Sequence, residues 1–239
     1  MLLSEQTTKS RKPNYLVVMS LIVHHLHSSQ SERIVWLCEE LGIPYTLKTY
    51  DRTPILAPPE YKALHPAGTA PIIQDGDDVT LAESAACIEY ICHRHGSGRL
   101  FLPPSDPGYA DFLYWFHWAN GSFQPALMRA MVTDKAGLPA GHHMVKMTEG
   151  RISSALDELE ARLGGREYLL GPKLTAADII VIFSLTTMRK YYYLSLAKHP
   201  NILKYLQRIS AREAYRRAME KGDPGMELVL GAEPPRRKE

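Results

Sequence analysis

The stretch from His24 to Tyr45, "HHLHSSQSERIVWLCEELGIPY", decides how this chain of 239 residues is read. It completes an apolar, β-branched run, "YLVVMSLIVHHL", which reads as a strand. The strand ends in serines and passes directly into "SERIVWLCEELG". There Ile34, Leu37, Cys38 and Leu41 share one helical face, with Glu32, Glu39 and Glu40 outside it. Ser31 is the expected cap and Gly42 the expected stop, with Pro44 preventing continuation. "YTLKTY" then alternates as a second strand, making a β-α-β unit with parallel pairing and a right-handed crossover. Ser28, Ser29 and Ser31 admit two readings. They are turn and cap residues that satisfy orphan amides, or hydroxyls beside a positive helix N-terminus that hold an anion or a thiolate.

Outward from this unit, "DRTPILAPPEYKALHPAG" is looser, with one short helix expected from Pro59 to Leu64. Two short apolar runs then flank Asp75-Gly76, a dipeptide that marks a hairpin turn. From Ser84, "SAACIEYICHRHG" resumes helical spacing and halts at Gly96. The proline- and glycine-rich "GRLFLPPSDPG" reads as a linker, and everything beyond it looks helical. "LTAADIIVIFSLTTMRKYYYL" has the nearly unbroken apolar middle of a helix buried on all sides, and Thr175 and Asp178 stand in capping-box positions ahead of it. "PNILKYLQRISAREAYRRAM" closes the domain as one amphipathic helix. The expected division is an extension over 1–19, a βαβ-α-ββα domain over 20–98, a linker over 99–110, an all-helical domain over 111–225 and a flexible tail over 226–239.

A net charge of +2 with mixed signs leaves no long basic stripe, which argues against nucleic acid as a main partner. The tail "PPRRKE" reads as a solvated end. Three cysteines without a spaced framework, Cys38, Cys87 and Cys92, indicate a reducing compartment, with Cys38 in the core. "MLLSEQTTKSRKPN" lacks the long apolar core of a signal peptide, and no stretch is long enough to span a bilayer, so the cytoplasm is the expected location. The pairs His24-His25, His93/His95 and His142-His143 lack a third ligand, so no metal is expected.

Two short motifs carry chemistry. In "GTAPII", Pro71 enters a hairpin strand where proline cannot donate to the ladder, which fits an edge position or a cis peptide turning the Ala70 backbone toward a ligand. In "LAESAA", Ser84 is an N-cap, or the helix amides and the Ser84 hydroxyl receive a carboxylate while Glu83 pairs with an ammonium group. A ligand bearing both groups on one carbon is an amino-acid head. The aromatic run Tyr114, Trp115, Phe116, Trp118 and Phe123 reads as core, and Tyr191-Tyr192-Tyr193 cannot all face one way.

Taken in order, "SSQSERIVWLCEELGIPY", "LAPPEYKALHPAGTAPIIQDG", "LAESAACIEYI" and "LTAADI" resemble the cytosolic glutathione transferase family, in particular a bacterial and fungal branch, over roughly Ser20 to Gly225. The resemblance implies a thioredoxin-like N-terminal domain that holds glutathione as co-substrate, and a helical-bundle domain that shapes an apolar site for a small hydrophobic electrophile. It places Ser28, five residues before Arg33-Ile34, as first choice for the hydroxyl that stabilises the glutathione thiolate, and Ser31 as second. It assigns Ala70 and a cis Pro71 to the glutathione cysteine, and Glu83 and Ser84 to the γ-glutamyl head. Thr69 stands where the family often places lysine or glutamine for the glycine carboxylate, with Arg52 as the alternative.

Activation then means lowering a free thiol pKa of about 8.5 by about two units, which takes roughly 2.7 kcal/mol of preferential thiolate stabilisation. The resemblance implies conjugating activity first. Glutathione-dependent peroxidase chemistry uses the same thiolate, and a non-catalytic binding or regulatory member is the reading from a different class. The family also implies a symmetric homodimer near the helices from Ser84 and Asp111, with Tyr90, Tyr114 and Trp118 as surplus apolar residues.

Overall fold

The computed structural model describes residues 21–54 and 56–234. The expected N-terminal extension, the start of the first apolar run and the last five residues of the basic tail lie outside the described residues. The N-terminal domain runs β1 (Leu21–Leu26), α1 (Glu32–Leu41), β2 (Thr46–Tyr50), α2 (Pro59–Lys62), β3 (Ile72–Asp75), β4 (Val79–Ala82) and α3 (Ser84–Arg94). Its four strands lie in the order β2-β1-β3-β4. β1 pairs parallel with β2, in register Ile22 to Thr46, and antiparallel with β3, in register Val23 to Ile73. This is the thioredoxin-like arrangement, and the β-α-β unit and the hairpin at Asp75-Gly76 are both present.

The helical domain comprises α4 (Tyr109–Trp118), α5 (Gln124–Lys135), α6 (His143–Leu163), α7 (Ala176–Leu185), α8 (Pro200–Ser210) and α9 (Glu213–Gly222). A π-turn over Ala119–Phe123 joins α4 to α5. Every residue of α7 is buried, and Thr175 and Asp178 form the capping box at its start. Asp178 accepts from Thr175 N at 2.8 Å and from Leu169 N at 2.9 Å, so amides that burial would orphan are paired. Trp115, Phe116, Trp118 and Phe123 are core, while Tyr114 is 49% exposed.

Four expectations need correction. Glu32 does not lie outside α1: it is 4% exposed, because α1 is clasped between the sheet and the helical domain and has no free face at its first turn. Ser31 occupies the N-cap position of α1 but its hydroxyl caps nothing, being directed back at β1. The last amphipathic segment is two helices. Arg212 leaves helical geometry between α8 and α9, with φ −72° and ψ 126°, and forms a bidentate pair with Glu40 at 2.6 and 2.7 Å. The described part of the supposed flexible tail is docked: Arg189 donates to the carbonyls of Gly231 at 2.9 Å and Ala232 at 2.7 Å, and Val229 is buried.

The domains meet mainly through α1 against α9 and α7. Trp36 packs edge-on to Tyr215, with 5.1 Å between ring centroids. Glu39 accepts from Lys221 at 2.5 Å and from Arg217 at 3.1 Å. The glutamates on the outer side of α1 therefore serve the domain interface.

Candidate functional site

A cavity of about 480 Å³ opens between the two domains. One wall is polar and comes from the N-terminal domain: Ser29 and Gln30 from the β1–α1 turn, with Thr69 and Ala70 ahead of β3. The facing wall comes from the helical domain and is mainly apolar, with Met128, Met131, Phe183 and Met188 beside Gln124 and Lys135. Arg52, Lys62 and Tyr191 border it, so a cationic edge, a polar floor and an apolar roof share one space.

The three serines of the β1–α1 turn have separate fates. Ser28 has a positive φ of 51°, and its hydroxyl is directed at Met226 Sδ, 3.4 Å away. Its carbonyl accepts from Tyr191 Oη at 2.8 Å and Arg52 Nη2 at 3.0 Å, while its amide donates to Asp223 Oδ1 at 2.8 Å. These bonds turn the Ser28 backbone inward and its hydroxyl aside, and Ser28 is not part of the cavity lining. Ser31 is fully buried, its Oγ bonded to His25 Nδ1 at 2.9 Å. Ser29, 5% exposed, is the serine on the cavity wall, and its Oγ lies 2.7 Å from Ser31 Oγ. The spacing "SSQS" put a hydroxyl in this turn, but only the twist at Ser28 selects which one faces the cavity.

The Ala70-Pro71 bond is cis, as expected at that strand entry. Ala70 O accepts from Gln30 Nε2 at 2.9 Å, which ties this turn to the start of α1. Thr69 lines the cavity, and so does Arg52, whose Nε donates to His27 O at 3.0 Å and whose guanidinium lies 5.3 Å from the Tyr191 ring centroid. Lys62, which no motif in the sequence singles out, adds a second cation on the same border.

Glu83 and Ser84 stand at the start of α3, outside the lining of this cavity. Glu83 is exposed and holds φ 71°, a conformation that L residues seldom adopt. Ser84 is buried, and its Oγ accepts from Asn120 Nδ2 at 2.8 Å and Arg33 Nη1 at 3.0 Å. With both lone pairs engaged, the Ser84 hydroxyl retains its proton for an acceptor at the α3 N-terminus.

Arg33 connects the two parts of the site, and reading it as half of a family motif did not show this. Its Nη1 also donates to Gln30 Oε1 at 2.9 Å and Asn120 Oδ1 at 3.1 Å, and its Nη2 to Gln124 Oε1 at 2.7 Å. The guanidinium lies 5.2 Å from the Phe183 ring centroid. Its bonds end on neutral oxygens, its Nε meets no acceptor among the described residues, and burial pulls its pKa down to about 9. A buried cation thus stands behind the polar wall.

On the far side of the serine turn, Asp223 at the end of α9 gathers His25 at 3.0 Å, His27 at 3.0 Å and the Ser28 amide. Burial pushes the Asp223 carboxyl up, but the bonds from His25, Ser28 and His27 outweigh it and hold the group below the ordinary carboxylate range. The donor atoms of His25, His27 and Asp223 lie within 4.8 Å of one another. The histidine pairs in the sequence showed no such third group. Both oxygens of Asp223 accept hydrogen bonds from these groups.

Burial pushes the neighbouring Glu32 carboxyl up to about 8, against a 2.5 Å hydrogen bond from Thr187 that favours its charge. Unfolded glutamate titrates near 4.3, so the folded chain holds this proton across the intervening window. The stability due to this group is complete below about pH 4.3 and is lost as the pH rises toward 8. Glu32→Gln removes that slope. Its unfolding free energy is expected to gain on the parent's by at least about 1.4 kcal/mol between about pH 5 and pH 8, measured by urea titration. Parallel stability curves for the two proteins would contradict a protonated Glu32.

A family model described as the glutathione S-transferase N-terminal domain matches residues 27–94, and one for the C-terminal domain matches residues 123–213. The chain is 33% identical to glutathione S-transferase 3 of Schizosaccharomyces pombe over 216 residues, 84% of this chain and 87% of that protein. It superposes on a glutathione S-transferase from Actinobacillus pleuropneumoniae with a TM-score of 0.76 at 35% identity, covering 85% and 93% of the two chains. A glutathione transferase from Burkholderia graminis, solved with two glutathione molecules bound per subunit, shares the fold with a TM-score of 0.70 at 22% identity, covering 89% and 92%. With both domain models matched in order and a third of the residues shared with a full-length relative, this chain belongs to the glutathione transferase family.

Proposed function

We propose that this protein is a catalytic glutathione transferase that joins the glutathione thiolate to small hydrophobic electrophiles, forming a thioether at an alkyl or aryl carbon. The observation that carries this reading is the two-sided cavity, in which Ser29 and the Ala70 backbone face Met128, Met131, Phe183 and Met188. Glutathione lies along the polar wall. Its sulfur meets the Ser29 hydroxyl, in place of Ser28 or Ser31, and its cysteine backbone runs past Ala70 and Pro71. The glycine carboxylate reaches the cationic border at Arg52 and Lys62, beside Thr69. The γ-glutamyl head reaches Ser84 and the α3 amides, with Glu83 taking its ammonium group. The three free, buried cysteines fit a reducing compartment such as the cytoplasm. No described helix is long and apolar enough to cross a membrane.

Glu83→Ala and Ser84→Ala are each expected to weaken glutathione binding by about 1.5–3 kcal/mol, because each removes a charge-assisted contact to the head group. Calorimetric titration measures this, alongside turnover of a chlorodinitrobenzene and of an organic hydroperoxide. Turnover of the arene supports a transferase, turnover of the peroxide alone a peroxidase, and binding without either a non-catalytic member.

The subunit pairs as a symmetric homodimer across α3 and α4, as membership in the family implies. Trp118 contributes to the subunit's own core, stacked on Phe123 with 5.1 Å between centroids, and Tyr90 is bonded to Asp75. Tyr114 is the exposed aromatic on this face. Sedimentation at micromolar concentration is expected to give a single species of twice the chain mass, and a species of one chain mass would refute the dimer.

A further inference from the structure

Behind the serine on the cavity wall, hydrogen bonds continue through three more side chains. Ser29 Oγ lies 2.7 Å from Ser31 Oγ, Ser31 Oγ lies 2.9 Å from His25 Nδ1, and His25 Nε2 lies 3.0 Å from Asp223 Oδ2. His25 and Ser31 are fully buried and Asp223 nearly so, leaving Ser29 as the end that reaches the cavity. His25 and Asp223 are 198 positions apart in the chain.

The charge on Asp223 sets the direction of each bond. A carboxylate only accepts, so His25 Nε2 carries a proton, and in the neutral form of the ring Nδ1 is then an acceptor. Ser31 then donates to His25 Nδ1 at 2.9 Å, the nearer of its two acceptors, with Leu26 O at 3.4 Å. The Ser31 oxygen already accepts from Leu26 N at 3.1 Å, and its second lone pair takes the Ser29 hydroxyl. Ser29 Oγ accepts from Ser31 N at 3.2 Å, which leaves one acceptor site for a group in the cavity. An S–H bond placed there points its proton into the chain.

We propose that Ser29, Ser31, His25 and Asp223 form a proton relay that takes the thiol proton of bound glutathione and holds it on His25. This rests on the glutathione reading of the cavity. The S–H bond breaks and its electron pair stays on sulfur. Ser29 Oγ gains that proton and passes its own to Ser31, which passes its own to His25 Nδ1. The products are a thiolate and an imidazolium whose Nε2–H remains on the Asp223 carboxylate. The Ser29 hydroxyl now points at sulfur and donates to the thiolate. In a substitution the stored proton departs to solvent with the leaving anion. Ser29 is the residue that touches substrate, and His25 and Asp223 act through it.

The groups facing His25 are few. His27 stands edge-on with 5.7 Å between ring centroids and shares Asp223. Gly222 closes over the ring so tightly that a Cβ there would lie 3.1 Å from Nε2. Glu32 and Tyr191 lie beyond Asp223, each coupled to its charge.

Nitrogen NMR of the imidazoles in the full chain tests the relay, with His27→Gln used to separate the His25 and His27 signals. Near neutral pH, adding glutathione is expected to convert His25 from the neutral Nε2–H tautomer to imidazolium. S-methylglutathione, which has no thiol proton, is expected to bind without doing so. His25 remaining neutral while calorimetry records bound glutathione would overturn the relay and leave the glutathione site standing. Failure of glutathione to bind would overturn both. Kinetically, Ser31→Ala is expected to lower turnover about 10²-fold near pH 6.5 with glutathione affinity unchanged, and to recover near pH 9, where solvent itself supplies thiolate. His25→Asn, which keeps an acceptor near the Nδ1 position but cannot hold the proton, is expected to behave alike and serves if Ser31→Ala does not fold. An equal loss at both pH values would indicate a merely structural role and overturn the relay.

Discussion

Ser29→Ala is expected to lower turnover about 10²-fold near pH 6.5 and far less near pH 9, with glutathione affinity nearly unchanged. Lowering a thiol pKa by about two units corresponds to roughly 2.7 kcal/mol, and in the proposed site the Ser29 hydroxyl donates to sulfur only in the thiolate. Without it the thiol returns toward its free value, and the thiolate fraction at mildly acid pH falls in proportion. The thiolate's ultraviolet absorbance, titrated with glutathione bound, reads the shift directly. Ser28→Ala is expected to stay within about threefold of the parent, since the Ser28 hydroxyl is turned toward Met226 and its backbone holds the turn. The reverse pattern, with Ser28 essential and Ser29 dispensable, would return the role to the residue first picked out in the sequence.

Arg33→Met is expected to cost about 3–5 kcal/mol of stability, a drop in Tm on the order of 10 °C. The guanidinium donates to Gln30, Ser84, Asn120 and Gln124 inside the protein, and methionine returns none of those bonds. Ser84 Oγ is left buried with one donor fewer, and the half-buried amide oxygens of Gln30, Asn120 and Gln124 each lose a charge-assisted donor, at a cost of about 1–3 kcal/mol each before neighbours relax. Arg33→Lys is expected to recover little, because a single ammonium cannot reach the acceptors that Nη1 and Nη2 serve separately. Scanning calorimetry decides it, and a Tm within about 2 °C of the parent would show that the network reorganises without the cation. The same residue orders both ends of the proposed glutathione site, so glutathione affinity of the folded variant is expected to fall as well.

Much of the architecture was legible in order. Strand, helix and strand followed from period and punctuation: the apolar run into His25, the stripe Ile34-Leu37-Cys38-Leu41, Gly42 and Pro44. The structure retains all of these, with Gly42 at φ 61° ending α1. The buried helix α7 and its capping box were equally visible, because the burial of an entire helix leaves a local composition that nothing else leaves. Errors arose where a residue's partner is remote. Arg212 breaks one expected helix into two to meet Glu40, 172 positions away. Glu32 has the look of a solvated first-turn acid until α7 and α9 close over it.

What the sequence by itself determined is therefore the order of elements, the fold class and a serine-rich turn opening a helix ahead of an Ala-Pro strand entry. Those depend on periodicity, turn chemistry and capping, which act between residues a few positions apart. Only the tertiary structure decided which serine faces the cavity, that Arg33 ties that wall to Ser84, and that His25 meets Asp223. Each of these is a contact between segments far apart in the chain, fixed by how α9 and the helical domain pack on α1. A hydroxyl or an imidazole becomes chemically directed only when a buried partner tells it whether to donate or accept.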